Sequence, residues 1–153
     1  MTRAVRRVET DDELADALAV RRTVFVDEQG VPPDLETDAF DVLDAATHVV
    51  AYDGDTAVGA ARLRPYEGDE TGDDSSTCAK VERVAVRAER RGEGWGTRLM
   101  DAVESEARRV GFERLVLHAQ TPVEDFYRAR GYRTVGGEFA EAGIPHVEMV
   151  RDL

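Results

Sequence analysis

The 153-residue chain reads as α+β, a mixed and mostly antiparallel central sheet flanked by helices. Three observations predict it. Residues 81–86 form a β-branched run that passes through Arg91-Gly92-Glu93-Gly94-Trp95-Gly96-Thr97 into an amphipathic helical pattern. Two strand-like runs flank Asp53-Gly54, a dipeptide suited to the positive φ angles of a tight hairpin. Residues 115–120 are a buried-strand run that leads into a second helical pattern, closed by Gly131.

In chain order, residues 4–8 read as a first strand. Asp11 or Asp12 is placed to cap a helix whose apolar residues Leu14, Ala17, Leu18, Val24 and Phe25 recur at helical spacing. Residues 29–46 are polar, with Gly30 and Pro32-Pro33, and read as a loop holding a broken helical turn. Residues 47–52 and 56–63 are the hairpin strands. Residues 67–77, with five carboxylates, lack the D-x-[DN]-x-[DN]-G order of a calcium loop and read as a hairpin loop. Residues 81–86 are the central strand. Residues 94–110 are the main helix, with Leu99, Val103, Ala107 and Val110 on one face and Gly111 past its end. Thr121-Pro122-Val123-Glu124 has the form of a capping box with Pro at the first helical position, opening a helix over 122–130. Strands over 132–135 and 147–150 complete the order. No repeat appears, and residues 1–153 read as one domain, long enough to bury roughly two-thirds of its unfolded surface.

Composition narrows the partners. Acidic residues number 32 against 20 basic, for a net charge of −12, and Lys80 is the only lysine. Such a surface argues against nucleic acid, because phosphate binding wants cations. It suits a soluble surface or a salt-rich cytoplasm, where molar salt screens carboxylate repulsion to about 3 Å. No apolar run is long enough to span a bilayer and no leader pattern opens the chain, so the expectation is a cytoplasmic protein without a membrane partner. Cys78 is the only cysteine; in a polar loop it reads as an inert thiol. His48, His118 and His146 lack metal-ligand spacing, so no metal is expected.

Glycines at alternate positions let bare backbone N–H groups approach a ligand, and the helix that follows presents its N-terminal dipole. Strand, glycine turn and helix start thus make a diphosphate cradle. A P-loop would need Gly-Lys-Ser/Thr, where this chain has Gly96-Thr97-Arg98; a dinucleotide fingerprint would need glycine where Thr97 or Leu99 stands. What remains is Arg-x-x-Gly-x-Gly, formed by Arg91, Gly94 and Gly96. It resembles the coenzyme A pyrophosphate loop of the GNAT superfamily of N-acetyltransferases. Phe126-Tyr127, followed by Gly131-Tyr132, resembles the C-terminal signature of the same superfamily. The stretch Arg22 to Pro32, with Glu36, Asp38, Asp41, His48 and His118-Ala119-Gln120, is similar to its ElaA/YjcF-like branch. The likeness covers essentially the whole chain.

The resemblance implies a GNAT fold and acetyl-CoA as co-substrate. It implies direct acetyl transfer in a ternary complex to an amine of a small molecule or protein, without metal, and is compatible with a homodimer. Val84, Ala85 and Val86 would hold the pantetheine arm through their main chain, and Arg91, Gly92, Gly94, Gly96 and Thr97 would line the pyrophosphate; Trp95 reads as packing. Tyr127, four residues before Gly131, would be the acid for the departing thiolate, a phenol near ~10 serving a thiol near ~8.5. For the base, Glu82 on the central strand would act with a pKa raised by partial desolvation, or would simply pair with Arg62, Arg64 or Arg83. His118 is the second candidate. Glu28, Gln29 and Asp38 resemble acceptor-side loops and would receive a cationic amine, or form a solvated acidic loop. A non-catalytic acyl-CoA-binding module would keep the phosphate loop and would not need Tyr127.

Overall fold

A computed structural model describes residues 2–66 and 77–153; the expected loop at 67–77 lies, apart from Thr77, outside the described residues. Strand β1 (Arg3–Arg7) leads to α1 (Asp11–Arg21). The cap of α1 is Thr10 rather than either aspartate: its side chain accepts from the Glu13 N–H at 3.1 Å, while Asp11, Asp12 and Glu13 fill the first turn, where the dipole favours acids. The helix widens into π-helical turns over Arg22–Glu28, and a short α2 (Pro33–Glu36) is the broken turn expected in the following loop.

The sheet is made of β2 (Thr47–Asp53), β3 (Thr56–Pro65), β4 (Cys78–Val86), β5 (Arg114–Gln120), β6 (Arg133–Glu141) and β7 (Ile144–Asp152), with β1 at one edge. Its order is β1-β2-β3-β4-β5-β7-β6, antiparallel throughout except for β4 against β5. Helix α3 (Trp95–Val110) supplies the crossover between the parallel pair, and α4 (Glu124–Ala129) follows β5.

Period-two alternation divides the sheet into two faces. On one, Val50, Tyr52, Ala60 and Ala85 pack against Leu14, Ala17, Val20 and Val24. On the other, Ala61, Leu63, Val81 and Leu117 pack against Leu99, Met100, Val103 and Ala107 of α3, with Trp95, Tyr127 and Tyr132 closing that core. Val110, expected on the core face, is exposed, because Phe112 beyond Gly111 packs there instead. Cys78, expected in a polar loop, is buried at the start of β4. The expected capping box at Thr121 does not form. Residues Thr121–Val123 make a 3-10 turn, and Glu124 accepts from Arg128 at 2.8 Å and from Thr134 instead of turning back on the chain.

Candidate active site

Pairing between β4 and β5 runs only from Cys78↔Arg114 to Val81↔Leu117. Beyond it, residues 82–86 pair with β3 alone and residues 118–120 with β7 alone, so the sheet opens into a cleft. The local cause is a bulge on β4. Its register against β3 shifts between Ala60 and Arg62, opposite Arg83, which takes a left-handed φ of 56°. An extra residue on one strand bends and twists it away from its other neighbour. Val84, Ala85 and Val86 lie on the splayed stretch and line the cleft, with no strand beside them on the β5 side.

The glycine loop closes one end. Gly94 sits at φ 86°, where an L side chain is strained, and directly precedes α3, whose first-turn N–H groups have no helical carbonyl to bond. Among the described residues, no N–H of residues 92–94 donates to a backbone carbonyl. Gly96 lies against Phe126, whose Cζ would be 3.4 Å from an added Cβ, so the loop and α4 meet. Arg91 donates from Nε to the Val86 carbonyl at 3.1 Å, and its two other nitrogens bind Glu28 at 2.6 and 2.8 Å. The guanidinium therefore lowers the Glu28 pKa, chiefly by hydrogen bonding. Trp95 is 1% exposed, as expected of packing, and donates to Glu93 at 3.0 Å.

Tyr127 points from α4 into the same cleft. Its ring packs edge-on against Tyr132, centroids 5.8 Å apart, and its hydroxyl makes no hydrogen bond among the described residues. Burial pushes its pKa up, keeping the phenol protonated and available as a donor. The cavity, about 980 Å³, passes through the sheet: Tyr127 and Gly96 line it from the α3 side, Glu82, His118 and Gln29 from the α1 side.

On the α1 side, strand register assembles a polar wall from residues far apart in sequence. Arg62 faces Glu82, Arg64 faces Lys80, and His118 faces Glu148. Of the two expected alternatives, Glu82 takes the ion pair with Arg62 and Arg64 and not the raised pKa. Burial would raise its pKa, but hydrogen bonds from Arg64 at 2.8 Å and from Arg62 outweigh that and hold it at about 2. A carboxylate held this way by two guanidinium groups is poorly suited to take up a proton. His118 stands differently. Its Nδ1 lies 2.7 Å from Glu141 Oε1, and its Nε2 3.7 Å from Glu148. The pairing to His118, then burial opposing it, sets the Glu141 pKa low, with Lys80 contributing to the same direction. The imidazole thus stands between two carboxylates.

The chain that builds this cleft has counterparts among known proteins. Residues 9–153 match the Acetyltransferase (GNAT) domain model. The chain belongs to the GNAT acetyltransferase family. The uncharacterized N-acetyltransferase YjcF of Bacillus subtilis is 38% identical over 143 residues, 93% of this chain and 94% of YjcF. Escherichia coli ElaA superposes with a TM-score of 0.83 at 26% identity, covering 98% of this chain and 99% of ElaA. An acyl-CoA N-acyltransferase from Pseudomonas aeruginosa superposes with a TM-score of 0.80 at 27% identity, covering 98% of each chain. The GNAT fold and the ElaA/YjcF-like branch expected from the motifs are thereby shown. GNAT proteins transfer an acyl group from acyl-CoA to an amine acceptor.

Within this GNAT domain the acceptor-side residues fall out differently from the sequence reading. Glu28 binds Arg91, Asp38 binds Arg62 at 2.6 Å, and Gln29 pairs with Gln120 at 2.9 Å across the cleft mouth. Glu28 and Asp38 are exposed as an acidic surface would be, but each is held by an arginine. Lys80, Arg83 and Glu141 line the cavity; the sequence reading named none of them as a site residue, and Arg83 only as a partner for Glu82. Lys80 carried a signal, being the only lysine in the chain. Arg83 and Glu141 carried none, because a bulge and a hairpin bring them into place.

Proposed function

We propose that this protein transfers an acetyl group from acetyl-CoA directly to an amine in a ternary complex. The observation that carries the reading is the free Tyr127 hydroxyl in the splayed cleft beside the glycine loop. The loop fits a diphosphate: the N–H groups of residues 92–94 donate to no backbone carbonyl among the described residues, its backbone needs glycine, and Arg91 stands at its edge. In this reading Gly92, Gly94, Gly96, Thr97 and Arg91 hold the pyrophosphate, and the open main chain of Val84, Ala85 and Val86 holds the pantetheine arm. An acceptor enters from the α1 side. His118, steadied by Glu141, takes the ammonium proton. The amine nitrogen then bonds to the acyl carbon as the carbon–sulfur bond breaks, and Tyr127 gives its proton to the departing thiolate. Glu82 has no part in proton transfer. An acyl-CoA-binding module without activity would not require an unbonded phenol at this point.

Thiol release from acetyl-CoA over a panel of amines tests this. Tyr127→Phe keeps the ring and removes the proton, so turnover should fall about 10- to 1000-fold with little change in CoA affinity. Wild-type turnover in that variant would assign Tyr127 to packing. An absence of thiol release with every amine would favour the binding module.

A further inference from the structure

We infer that the acceptor carries a carboxylate beside its amine, and that Lys80 and Arg83 bind that carboxylate. The inference rests on the acyl-transfer reading and names the substrate class. Where β3 and β4 meet α1, α2 and the segment after α2, Arg21, Arg62, Arg64, Lys80 and Arg83 meet Glu36, Asp38, Asp41 and Glu82, so on this side of the cleft cations outnumber carboxylates by one, while Glu141 on the far wall also feels Lys80. In a chain with a net charge of −12 this is a local reversal. The surplus sits at the cavity. Glu82 already accepts from Arg62 at 3.1 Å and from Arg64 at 2.8 Å; Lys80 Nζ, 3.5 Å away, is a third cation on the same carboxylate and donates no hydrogen bond among the described residues.

Arg83 is similarly underused. It donates from Nε to the Glu36 carbonyl at 3.1 Å and from Nη2 to the Leu35 carbonyl at 3.4 Å, while Nη1 donates to nothing among the described residues. Its nearest carboxylate oxygens are 3.7 and 4.0 Å away. Half-buried cationic donors without acceptors are costly, and an anion supplies what they lack. The φ of 56° at Arg83 is backbone strain of the kind that re-aims a side chain beside a site.

The far wall has the complementary chemistry. His118, Glu141 and Glu148 suit an ammonium group. Lys80 pairs with Val116, two residues before His118 on the adjacent strand, which places the Lys80 and His118 Cα atoms about 8 Å apart. One small molecule spans that gap with an amine at one end and a carboxylate at the other. A polyamine fits poorly, since its second ammonium would meet Lys80 and Arg83.

The experiment compares each coded L-amino acid with its own carboxamide as acceptor, reading thiol release from acetyl-CoA. At least one acid should exceed its carboxamide about 10-fold or more in kcat/KM, although the carboxamide's less basic amine is the more available nucleophile. In Lys80→Met and Arg83→Met, KM for that acid should rise about 10- to 100-fold and the preference should collapse, with Lys80→Arg restoring much of it. Because the chain has one lysine, isotope-labelled lysine gives one side-chain resonance. With CoA present it should shift on adding the amino acid and not on adding the carboxamide. Equal kcat/KM for acids and carboxamides, or a preference that survives both Met variants, overturns the inference. Should no amine release thiol, the acyl-transfer reading fails separately; the lysine resonance then decides carboxylate binding, a shift supporting it and no shift overturning it.

Discussion

Arg91 cannot serve Glu28 and a diphosphate at once. Its bidentate hold on Glu28 is half-exposed, so the pair contributes about 0–1 kcal/mol, and a ligand with more charge should displace the carboxylate. Glu28→Gln should therefore tighten acetyl-CoA binding by up to about 5-fold, as measured by calorimetry; a weaker Kd in that variant would make Glu28 a support for Arg91 instead. The exchange also concerns the acceptor side, because the neighbouring Gln29 spans the cleft mouth to Gln120. At this scale the sequence was legible where the signal is local. Arg91, Gly94, Gly96 and Tyr127 stand in short motifs whose spacing is itself the chemistry. For Glu82 the sequence left base and ion pair open, since choosing between them depends on the register that sets Arg62 and Arg64 opposite β4. Glu141 reaches His118 from another strand, and no spacing announces that.

Helix α3 lies close on the sheet because Gly59 has no side chain. A Cβ there would come within 2.9 Å of Leu99 Cδ1 and 3.1 Å of the Ala85 carbonyl oxygen. Gly59→Ala should thus cost about 1–3 kcal/mol in denaturant unfolding, by pushing α3 and its glycine-loop end away from β4. An unchanged unfolding midpoint would mean that Leu99 simply rotates aside. Most elements were readable from pattern: the Asp53-Gly54 hairpin, the β4–loop–α3 crossover and the Gly131 stop all carry local turn chemistry. The β6–β7 hairpin was read too short. Gly136-Gly137 looks like a break, yet Gly136 adopts φ 72° at a bulge and β6 resumes, pairing Phe139 with His146. The π-helical turns after α1 have no sequence signature, and Thr10 took the cap because its side chain reaches the Glu13 N–H.

Across the molecule, carboxylates paired to buried arginines tie the segment after α2 to the sheet. Arg21 binds Glu36 and Asp41, and Arg62 binds Asp38, Asp41 and Glu82. Burial works against the charge of Asp41 and Glu82, but hydrogen bonds from these arginines and Arg64 prevail and leave both pKa values at about 2. Unfolded, they would titrate near ~3.9 and ~4.3. The unfolded chain therefore takes up protons first as pH falls, so the stabilisation is complete above about pH 5 and is lost towards pH 2. Stability measured by urea unfolding should fall through that window, and Glu82→Gln should be less stable at neutral pH with a shallower acid slope. A flat profile down to pH 2 would contradict the pairing. The donor site and the acceptor wall depend on one opening in the sheet, and the claim that this opening receives acyl-CoA is tested most directly by calorimetric titration of acetyl-CoA into the wild type and Gly94→Asp. Wild type should bind, and Gly94→Asp should lose binding, because it puts a strained side chain and a negative charge where the diphosphate sits. Equal affinity in the two proteins would contradict it.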